Sequence, residues 1–551
     1  MPSRRDFLLS SAAAVLATAC RARGALVPGN SIQPGRWDVL IRGGHVLDGS
    51  GAAGFDADVA ILDGRIAAIG EAARGGSAAL EVDARGRVVA PGFIDIHSHA
   101  DGSLADDPRA ESVIRQGVTT IVVGQDGSSR GVARAGGEGP DAPSMARVLD
   151  GFDRLSPAVN VASMVGLGSV RRAVIGDADR PATSAELAEM TAIVERALAG
   201  GACGASSGLE YIPGAFATRD ELIALCRPLA SRGLCYATHM RNEDDRLLEA
   251  IDEAIAVARG AGCPLQISHL KTQGPRNWGK LDDAFARIEG AKRGGLDVAF
   301  DRYPYIAYST SLSNLFPAWS REGGTEAFLA RLADPVQAPR IEAEARAKVE
   351  SIGGWDNVMV TSAGGSADKA AEGARLGAYA TARGTDPYAA ALALLRAGRG
   401  SIGMVGFAMS EDNTARILAH PLGMVCSDGG GFAIDGPARR GHPHPRGLGT
   451  FPRVLGHYVR ERRAMTLEQA VHKMTAFPAS RAGLRDRGRL AVGLVADVVV
   501  FDPVTVTDRA TFTDPFRYPA GVEAVFVNGV AALLYEERGE QRTGRALGRE
   551  S

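Results

Sequence analysis

The sequence contains few cysteines, only six in 551 residues. One of them, Cys20, lies near the N-terminus, and the other five form no Cys-x-x-Cys pair: they are Cys203, Cys226, Cys235, Cys263 and Cys426. Because five is an odd number, at least one thiol stays unpaired, and the spacing does not indicate a disulfide framework. A buried thiol behaves as a small hydrophobic group. We therefore expect these cysteines in the core.

The chain also lacks a strong net charge, since 62 Lys and Arg residues oppose 64 Asp and Glu residues. A formal charge of −2 gives no electrostatic reason to expect nucleic acid or an anionic membrane as a partner. Heptads, short-period repeats and long low-complexity tracts are missing as well. With 45% apolar and 23% charged residues, the composition is that of an ordinary globular protein.

The N-terminal segment, residues 1–24, has the pattern of a targeting signal. Arg4 and Arg5 precede an apolar run over residues 9–19, which resembles a twin-arginine export signal. The run is too short to span a bilayer as a mature helix. Cleavage after Ala19 predicts an exported, periplasmic protein, and Cys20 is a candidate for lipidation with a weak surrounding motif. Export suggests substrates outside the cytoplasm.

The body of the chain, residues 92–483, alternates short β-like runs with helical patterns. The predicted strands include residues 119–123, 159–164, 234–238, 265–268, 296–300, 402–407 and 424–427, with helices predicted between them, such as 184–199, 219–231, 247–261 and 281–292. Repeated β-then-α order predicts a parallel α/β fold. Chemistry at the carboxyl ends of many strands favours a closed (β/α)8 barrel, of the TIM type, over an open sheet.

Both flanks of this body are rich in short β-like runs. Residues 36–91 and 484–545 carry apolar runs separated by turn residues, and Val527-Asn528-Gly529-Val530 has a hairpin signal. We expect the two flanks to pair into one small, discontinuous β-sandwich domain.

The most informative motif is His97-x-His99, which ends an apolar run. On a strand, residues i and i+2 face the same side, so both imidazoles would point one way, as a shared metal site requires. Further polar residues recur at the ends of later predicted strands: Glu210, His239, His269, Lys271, Asp301, Tyr303 and Asp428. Imidazole and carboxylate together suit Zn²⁺ or a similar divalent ion. A catalytic zinc site also activates water.

This ordered series resembles the amidohydrolase superfamily, and within it the D-aminoacylase (N-acyl-D-amino-acid deacylase) branch, over nearly the whole mature chain. The resemblance implies a (β/α)8 barrel with a small β-sandwich, one or two metal ions, and hydrolysis of the amide bond of small N-acyl-D-amino acids. It also implies residue roles. The metal ligands would be His97, His99, His239, His269 and Asp428, and Asp428 would also act as general base on water.

The bridging ligand departs from that pattern. Many D-aminoacylases carry a cysteine after strand two, in Gly-Asn-Cys-Gly, whereas this chain has Gly124-Gln125-Asp126-Gly127. The preferred bridge is then Glu210, because a carboxylate can span two cations and other superfamily members place their bridging group on that strand. Asp126 is the second choice. The number of metal ions therefore stays open.

Substrate-binding roles also follow from the resemblance. Arg446, in His-Pro-His-Pro-Arg, would bind the substrate carboxylate through two hydrogen bonds from its guanidinium. Lys271 and Tyr303 match positions that contact substrate or stabilise the oxyanion, with Tyr305 as a substitute for Tyr303. The segment 309–362 resembles the inserted lid of the branch, and a solvated helical insertion is the other interpretation.

Three other functions stay open at this point. The nearest is a dipeptidase or a cyclic-amide hydrolase on the same scaffold, which fold alone does not separate. A cyclic-amide hydrolase would commonly show a lysine on strand four, where this chain has Glu210. A deaminase is disfavoured by the Ser-Gly-Leu-Glu-Tyr and His-Pro-Arg motifs, and an inactive exported binding protein by the retained His and Asp set. The acyl group, the side-chain preference and the oligomeric state are not specified by the sequence.

Overall fold

The computed structural model describes residues 36–133 and 144–548. The predicted export signal, residues 1–24, lies outside this part of the chain. Within it, no helix combines the length and the apolar character that a membrane crossing needs.

The N-terminal flank consists of five strands, which are β1 Arg36–Val46, β2 Phe55–Leu62, β3 Arg65–Ile69, β4 Ser77–Asp83 and β5 Val88–Pro91. Strand β1 pairs antiparallel with β2 and parallel with β4 and β5. Inward apolar side chains of these strands, such as Val39, Ile41 and Val59, are buried in one cluster.

The chain then enters a run of parallel strands, which are β6 Phe93–Asp95, β7 Val118–Val123, β8 Asn160–Ser163, β9 Val165–Gly166, β10 Gly204–Gly208, β11 Cys235–His239, β12 Leu265–Ile267 and β13 Val298–Arg302. Helices alternate with them: α1 Asp101–Asp106, α2 Glu111–Ile114, α3 Met145–Leu155, α4 Leu167–Val174, α5 Ser184–Ala199, α6 Arg219–Ala230, α7 Leu247–Ala261 and α8 Leu281–Arg293. The strands are almost fully buried on both faces, as expected for a sheet covered by helices.

An insertion follows β13 and carries its own antiparallel sheet. Its strands are β14 Ala307–Ser311, β15 Val358–Ala363 and β16 Ile402–Phe407, in the order β14-β16-β15, with helices α9 Gly324–Arg331, α10 Ala338–Ser351, α11 Leu376–Thr381 and α12 Pro387–Ala397. The insertion is thus wider than the predicted 309–362. Residues 402–407 were expected among the parallel strands, and this expectation is wrong, because both neighbours of β16 in the structure are antiparallel strands of the insertion.

The parallel sheet closes after the insertion. Helix α13 Glu411–Ala419 leads to β17 Gly423–Val425, which lies beside β13. Beyond β17, the amide of Asp428 donates to the carbonyl of His97 at 2.8 Å, and Ser98 forms a parallel bridge with Gly429. Since β8 and β9 are one strand interrupted at Met164, eight parallel strands form a ring: the predicted (β/α)8 barrel.

The C-terminal flank returns to the first sheet. After helices α14 Arg446–Arg453, α15 Leu467–Met474 and α16 Ala476–Arg481, and a π-helical stretch at Val454–Glu461, come β18 Val498–Phe501, β19 Val522–Val527, β20 Val530–Leu534 and β21 Glu537–Arg538. Shorter 3-10 turns are Gly70–Ala72, Gly214–Phe216, Pro275–Lys280, Leu312–Leu315, Ala318–Arg321, Trp355–Asn357 and Lys369–Ala371.

The two flanks share one nine-stranded sheet, in the order β21-β20-β19-β18-β5-β1-β2-β3 with β4 on β1. The junction is β18, which pairs antiparallel with β5. The predicted hairpin is confirmed: Val527 pairs with Val530, and Asn528 and Gly529 both have positive φ, as a tight turn of this kind requires.

Candidate metal centre

The predicted metal ligands lie at the carboxyl ends of the barrel strands. His97 and His99 follow β6, Glu210 follows β10, His239 ends β11, His269 follows β12 and Asp428 follows β17. Because parallel strands direct these ends to one face of a barrel, side chains that are far apart in the sequence meet there. The His-x-His pair lies just past the strand rather than on it, and the two ring centroids are 5.2 Å apart.

A first cluster consists of His97, His99 and Asp428. Nε2 of His99 lies 3.1 Å from Oδ1 of Asp428, and Nε2 of His97 lies 3.6 Å from the same oxygen. His97 is fully buried, whereas the side chain of His99 is 38% exposed and faces the cleft. This cluster is therefore reachable from solvent on one side.

A second cluster consists of His239 and His269. Nδ1 of His239 lies 3.0 Å from Nε2 of His269, and the two rings meet edge to face. Both side chains are buried. All four predicted histidines therefore converge in one place, in two pairs.

Asp126 lies between the two clusters and is close to imidazoles of both. Its Oδ1 is 3.5 Å from His97, and its Oδ2 is 3.5 Å from both His99 and His269. The carboxylate of Glu210, the residue favoured by sequence, is within 4 Å of one of these imidazoles only, that of His239 at 3.5 Å. The reason is local: β10 ends at Gly208, and the following turn leaves the Glu210 side chain 24% exposed at the rim.

The donor atoms fit a bound divalent cation. Several buried ones have no hydrogen-bond partner within the described ranges, namely both ring nitrogens of His97, Nε2 of His239 and Oδ1 of Asp126. Two ligand atoms bound tetrahedrally to Zn²⁺ at about 2.0–2.1 Å are about 3.4 Å apart, close to the separations of 3.5 Å between Asp126 and three imidazoles. These separations are too long for hydrogen bonds and match two ligands of one ion.

The charges at this centre are strongly coupled. Burial opposes protonation of His99, but Asp126 and Asp428 outweigh it and raise the pKa of His99 to about 9. For His239, too, burial is outweighed by carboxylates, first Glu243 and then Asp126, and the pKa rises to about 10. Burial alone would raise the pKa of Asp428, yet Arg446 and His97 hold it well below its usual range. The shifts arise from attraction between buried imidazoles and carboxylates, and a bound cation would supply positive charge to the same carboxylates.

Three residues of the centre have a left-handed backbone, which is uncommon outside glycine. They are Asp126, His269 and Asp428, with φ of 52°, 36° and 48°. The conformation of His269 is fixed by its amide, which donates to Oδ1 of Asp301 at 2.7 Å. Such strain concentrates at functional sites because the surrounding structure holds it in place.

Asp301 supports two of the histidines, a role that the sequence did not reveal. Besides the amide of His269, its Oδ1 lies 3.5 Å from Nδ1 of His97. Gln266 donates to its other oxygen at 2.5 Å. Asp301 thus lies on the Nδ1 side of the His97 ring, whereas Nε2 of His97 faces Asp126 and the centre.

Glu243 and Lys271 support the second cluster in the same way. Nζ of Lys271 donates to Oε1 of Glu243 at 2.6 Å and lies 2.7 Å from Nδ1 of His269. Burial would lower the pKa of Lys271, but Glu243 outweighs it and raises it. Lys271, predicted to bind substrate, does line the cleft, and it donates one N–H group to Glu243.

Arg446 and Tyr303, the other predicted substrate-binding residues, lie together beside Asp428. Arg446 donates to Oδ2 of Asp428 at 2.7 Å, and its guanidinium carbon lies 4.7 Å from the centroid of the Tyr303 ring. The buried Tyr303 hydroxyl has no hydrogen-bond partner among the described residues. Tyr305 does not line the cleft with Tyr303, and its hydroxyl donates to Asp508 at 3.4 Å.

The centre opens into a cleft of about 370 Å³. One wall comes from the insertion, which contributes residues 308–311, Asn314 and Lys348. Apolar residues of the insertion, among them Leu312 and Phe316, belong to the same buried cluster as barrel residues such as Ile94. The insertion therefore packs against the barrel and forms one wall of the site.

The comparisons with known proteins agree with this geometry. Residues 80–532 match the model of the amidohydrolase family. The chain is 39% identical to an N-acyl-D-glutamate deacylase of Alcaligenes xylosoxydans xylosoxydans over 93% of this chain and 97% of that protein, and 37% identical to a D-aminoacylase of the same organism over 93% and 98%. The crystal structure of N-acyl-D-glutamate deacylase from Bordetella bronchiseptica, complexed with zinc and a phosphonate mimic of the tetrahedral intermediate, is similar with a TM-score of 0.78 and 37% identity, over 93% of this chain and all of that one. Matches of this length and identity show that the chain belongs to the amidohydrolase family.

Proposed function

We propose that this protein hydrolyses the amide bond of N-acyl-D-amino acids in a metal-dependent reaction and releases a carboxylate and a D-amino acid. One observation carries the proposal: four histidines and Asp428 from four different strand ends converge at one cleft, which all of them except His97 line. The similarity of nearly the whole chain to deacylases of this specificity supports the same reaction.

The first cluster, the second cluster and Asp126 between them would hold zinc or another divalent ion, one or two in number. When bound, such an ion lowers the pKa of water toward about 7 and polarises the amide carbonyl. The oxygen and nitrogen donors described above are the ligand types that zinc takes in catalytic sites.

Asp428 is the group that we assign to proton transfer. Its Oδ2 accepts from Arg446, which fixes the orientation of the carboxylate, while Oδ1 faces His99 and His97. In this position the carboxylate takes a proton from the attacking water and passes it to the leaving nitrogen. The C–N bond then breaks and the amine leaves neutral.

Tyr303 and Lys271 are placed to stabilise the oxyanion. The Tyr303 hydroxyl has no protein partner among the described residues, so it is available to the substrate oxygen. Lys271 retains N–H groups beyond the one that it donates to Glu243. Donors of this kind lower the barrier because they are already oriented where charge develops.

Arg446 is assigned to the free carboxylate of the substrate. One nitrogen of its guanidinium is bound to Asp428, and the others remain for a second carboxylate. The ring of Tyr303 lies beside the same guanidinium. The substrate would therefore be anchored next to the group that handles the proton.

We also propose that the protein acts outside the cytoplasm. Arg4 and Arg5, followed by the apolar run to Ala19, support a twin-arginine export signal. Cell fractionation tests this: the double change Arg4→Lys and Arg5→Lys should retain the protein in the cytoplasm, and an unchanged distribution would contradict the proposal. Labelling with a radioactive fatty acid, with Cys20→Ala as control, would reveal lipidation.

The reaction itself is tested by kcat/KM on matched N-acetyl-D and N-acetyl-L amino acids, with zinc-supplied mature protein. We expect a strong preference for the D series, and Asp428→Asn serves as the inactive control. Turnover of dipeptides or cyclic amides, with none of either N-acetyl series, would replace the deacylase assignment by one of the other amide hydrolases of this scaffold. Side chains should include D-glutamate, D-aspartate and neutral residues.

A further inference from the structure

Asp126 occupies a place that no other side chain of the described chain shares. It is the only residue that belongs to both candidate ligand groups of the barrel face, the one with His97, His99 and Asp428 and the one with His239 and His269. Each of its oxygens faces a different set of imidazoles: Oδ1 faces His97, and Oδ2 faces His99, His239 and His269. A single carboxylate therefore connects two separate sets of nitrogen donors.

The turn that carries Asp126 is held rigidly in place. Ser206 of β10 donates to the carbonyl of Gly124 at 2.6 Å and accepts from the amide of Gly127 at 3.0 Å. Gly124 has φ of 75°, and a Cβ at this position would lie 2.2 Å from the carbonyl oxygen of Met164. Asp126, which has positive φ, thus lies between two residues that Ser206 fixes by hydrogen bonds, Gly124 and Gly127. Its carboxylate is 9% exposed.

Among residues 36–133 and 144–548, no cysteine belongs to the candidate ligand groups that contain Asp126. Cys426 is grouped with His97 and Asp301 and not with the second cluster. The donors that meet between the two clusters are therefore nitrogen and oxygen alone.

We propose that Asp126 bridges two divalent cations and that Glu210 does not. The carboxylate of Asp126 would contribute to the ion held by the first cluster and to the ion held by the second, because it lies 3.5 Å from an imidazole of each. Because nitrogen and oxygen donors suit Mn²⁺ and Co²⁺ as well as Zn²⁺, the centre accepts any of the three as a pair. This inference rests on the metal-dependent part of the proposed function.

Metal content tests the bridge without any substrate. Protein stripped with a chelator, reloaded with Zn²⁺ and dialysed is analysed by mass spectrometry for bound metal. We expect two equivalents in the wild type, about one in Asp126→Asn, and two in the matched control Glu210→Gln. Asparagine is chosen because it tolerates positive φ and keeps the volume of the side chain while losing the charge.

A second measurement reports the bridge itself. Two Mn²⁺ ions joined by one carboxylate are magnetically coupled, so the electron paramagnetic resonance spectrum of the Mn²⁺-loaded wild type should be that of a coupled pair. Asp126→Asn should give the spectrum of isolated ions, and Glu210→Gln should keep the coupled one. If Asp126→Asn does not fold, as judged by circular dichroism, Asp126→Ser is measured in the same way.

Either of two outcomes would overturn the bridge. One is two equivalents and a coupled spectrum in Asp126→Asn, and the other is loss of one equivalent in Glu210→Gln alone. Failure to hydrolyse N-acetyl-D-amino acids would leave the result intact, since neither metal content nor the spectrum depends on the substrate.

Discussion

Glu243 carries the negative charge behind the second cluster, and Glu243→Gln is the change that probes it most directly. Glutamine preserves the shape of the side chain and an oxygen that can accept from Lys271. It removes the charge that the buried ammonium of Lys271 faces at 2.6 Å. It also weakens the contact with Nδ1 of His269, which lies 3.0 Å from Oε1.

The size of the effect follows from burial. The side chains of Glu243 and Lys271 are 4% and 2% exposed, so solvent screens this pair little. Removing one partner of a buried ion pair costs about 3–5 kcal/mol. Since glutamine still accepts a hydrogen bond and Lys271 can lose its proton, we expect the lower end, about 3 kcal/mol. Metal affinity should fall by about 10–100-fold, as for other partners of ligand histidines.

Urea unfolding of the metal-stripped protein measures the first quantity, and competition with a chromophoric chelator measures the second. Lys271→Met and the double variant Glu243→Gln/Lys271→Met complete a double-mutant cycle. Because the double variant leaves no unpaired charge, its loss should be smaller than the sum of the two single losses by roughly 2 kcal/mol. A loss below about 1 kcal/mol in Glu243→Gln, or strictly additive losses in the cycle, would refute the reasoning.

Three further changes address catalysis. Asp428→Asn should lower kcat by about 10²–10⁴-fold, since the amide cannot accept the proton; a smaller loss in steady-state assays would assign the proton to another group. Tyr303→Phe should lower kcat by about 10²–10³-fold with an unchanged melting temperature, because the hydroxyl has no partner among the described residues; unchanged kcat would exclude it from the oxyanion site. Arg446→Lys should raise KM for N-acetyl-D-amino acids, since lysine cannot donate two parallel hydrogen bonds to a carboxylate as the guanidinium does. An effect confined to kcat would mean that Arg446 acts on Asp428 and does not bind the substrate. Dialysis against a chelator should abolish turnover and added Zn²⁺ restore it, whereas persistent activity in the metal-free protein would contradict the metal-dependent mechanism.

Strand-end motifs predicted that the histidines and Asp428 lie together, because a barrel leaves little freedom for the position of residues at its strand ends. Once β6, β11, β12 and β17 are parallel neighbours, a polar residue just past each strand lies on the same face. The choice between Glu210 and Asp126 was different. It depends on the path of a turn, and sequence does not reveal that Ser206 clamps the turn of Asp126 while Glu210 ends at the rim.

Contacts between residues that are distant in the chain also could not be predicted from the sequence. Glu243 and Asp301 lie inside motifs that were recognised, yet their roles come from contacts with His269 and His97, which are distant in the chain. Strand β16 illustrates the same limit. Its residues are as apolar as those of a barrel strand, and only the pairing with β14 and β15 distinguishes it.

The junction between β5 and β18 has a consequence for how the chain reaches its final state. The two strands are separated by roughly 400 residues, so their pairing is among the most non-local contacts of the molecule. As the ribosome releases the chain, the free edge of β5 stays unpaired until the C-terminal flank emerges, and pairings of such long sequence separation slow folding. Every barrel strand up to β17 leaves the ribosome before β18, so the first sheet is completed only after the whole barrel sequence is available. Loss of the C-terminal flank would leave β5 as an unprotected edge prone to aggregation.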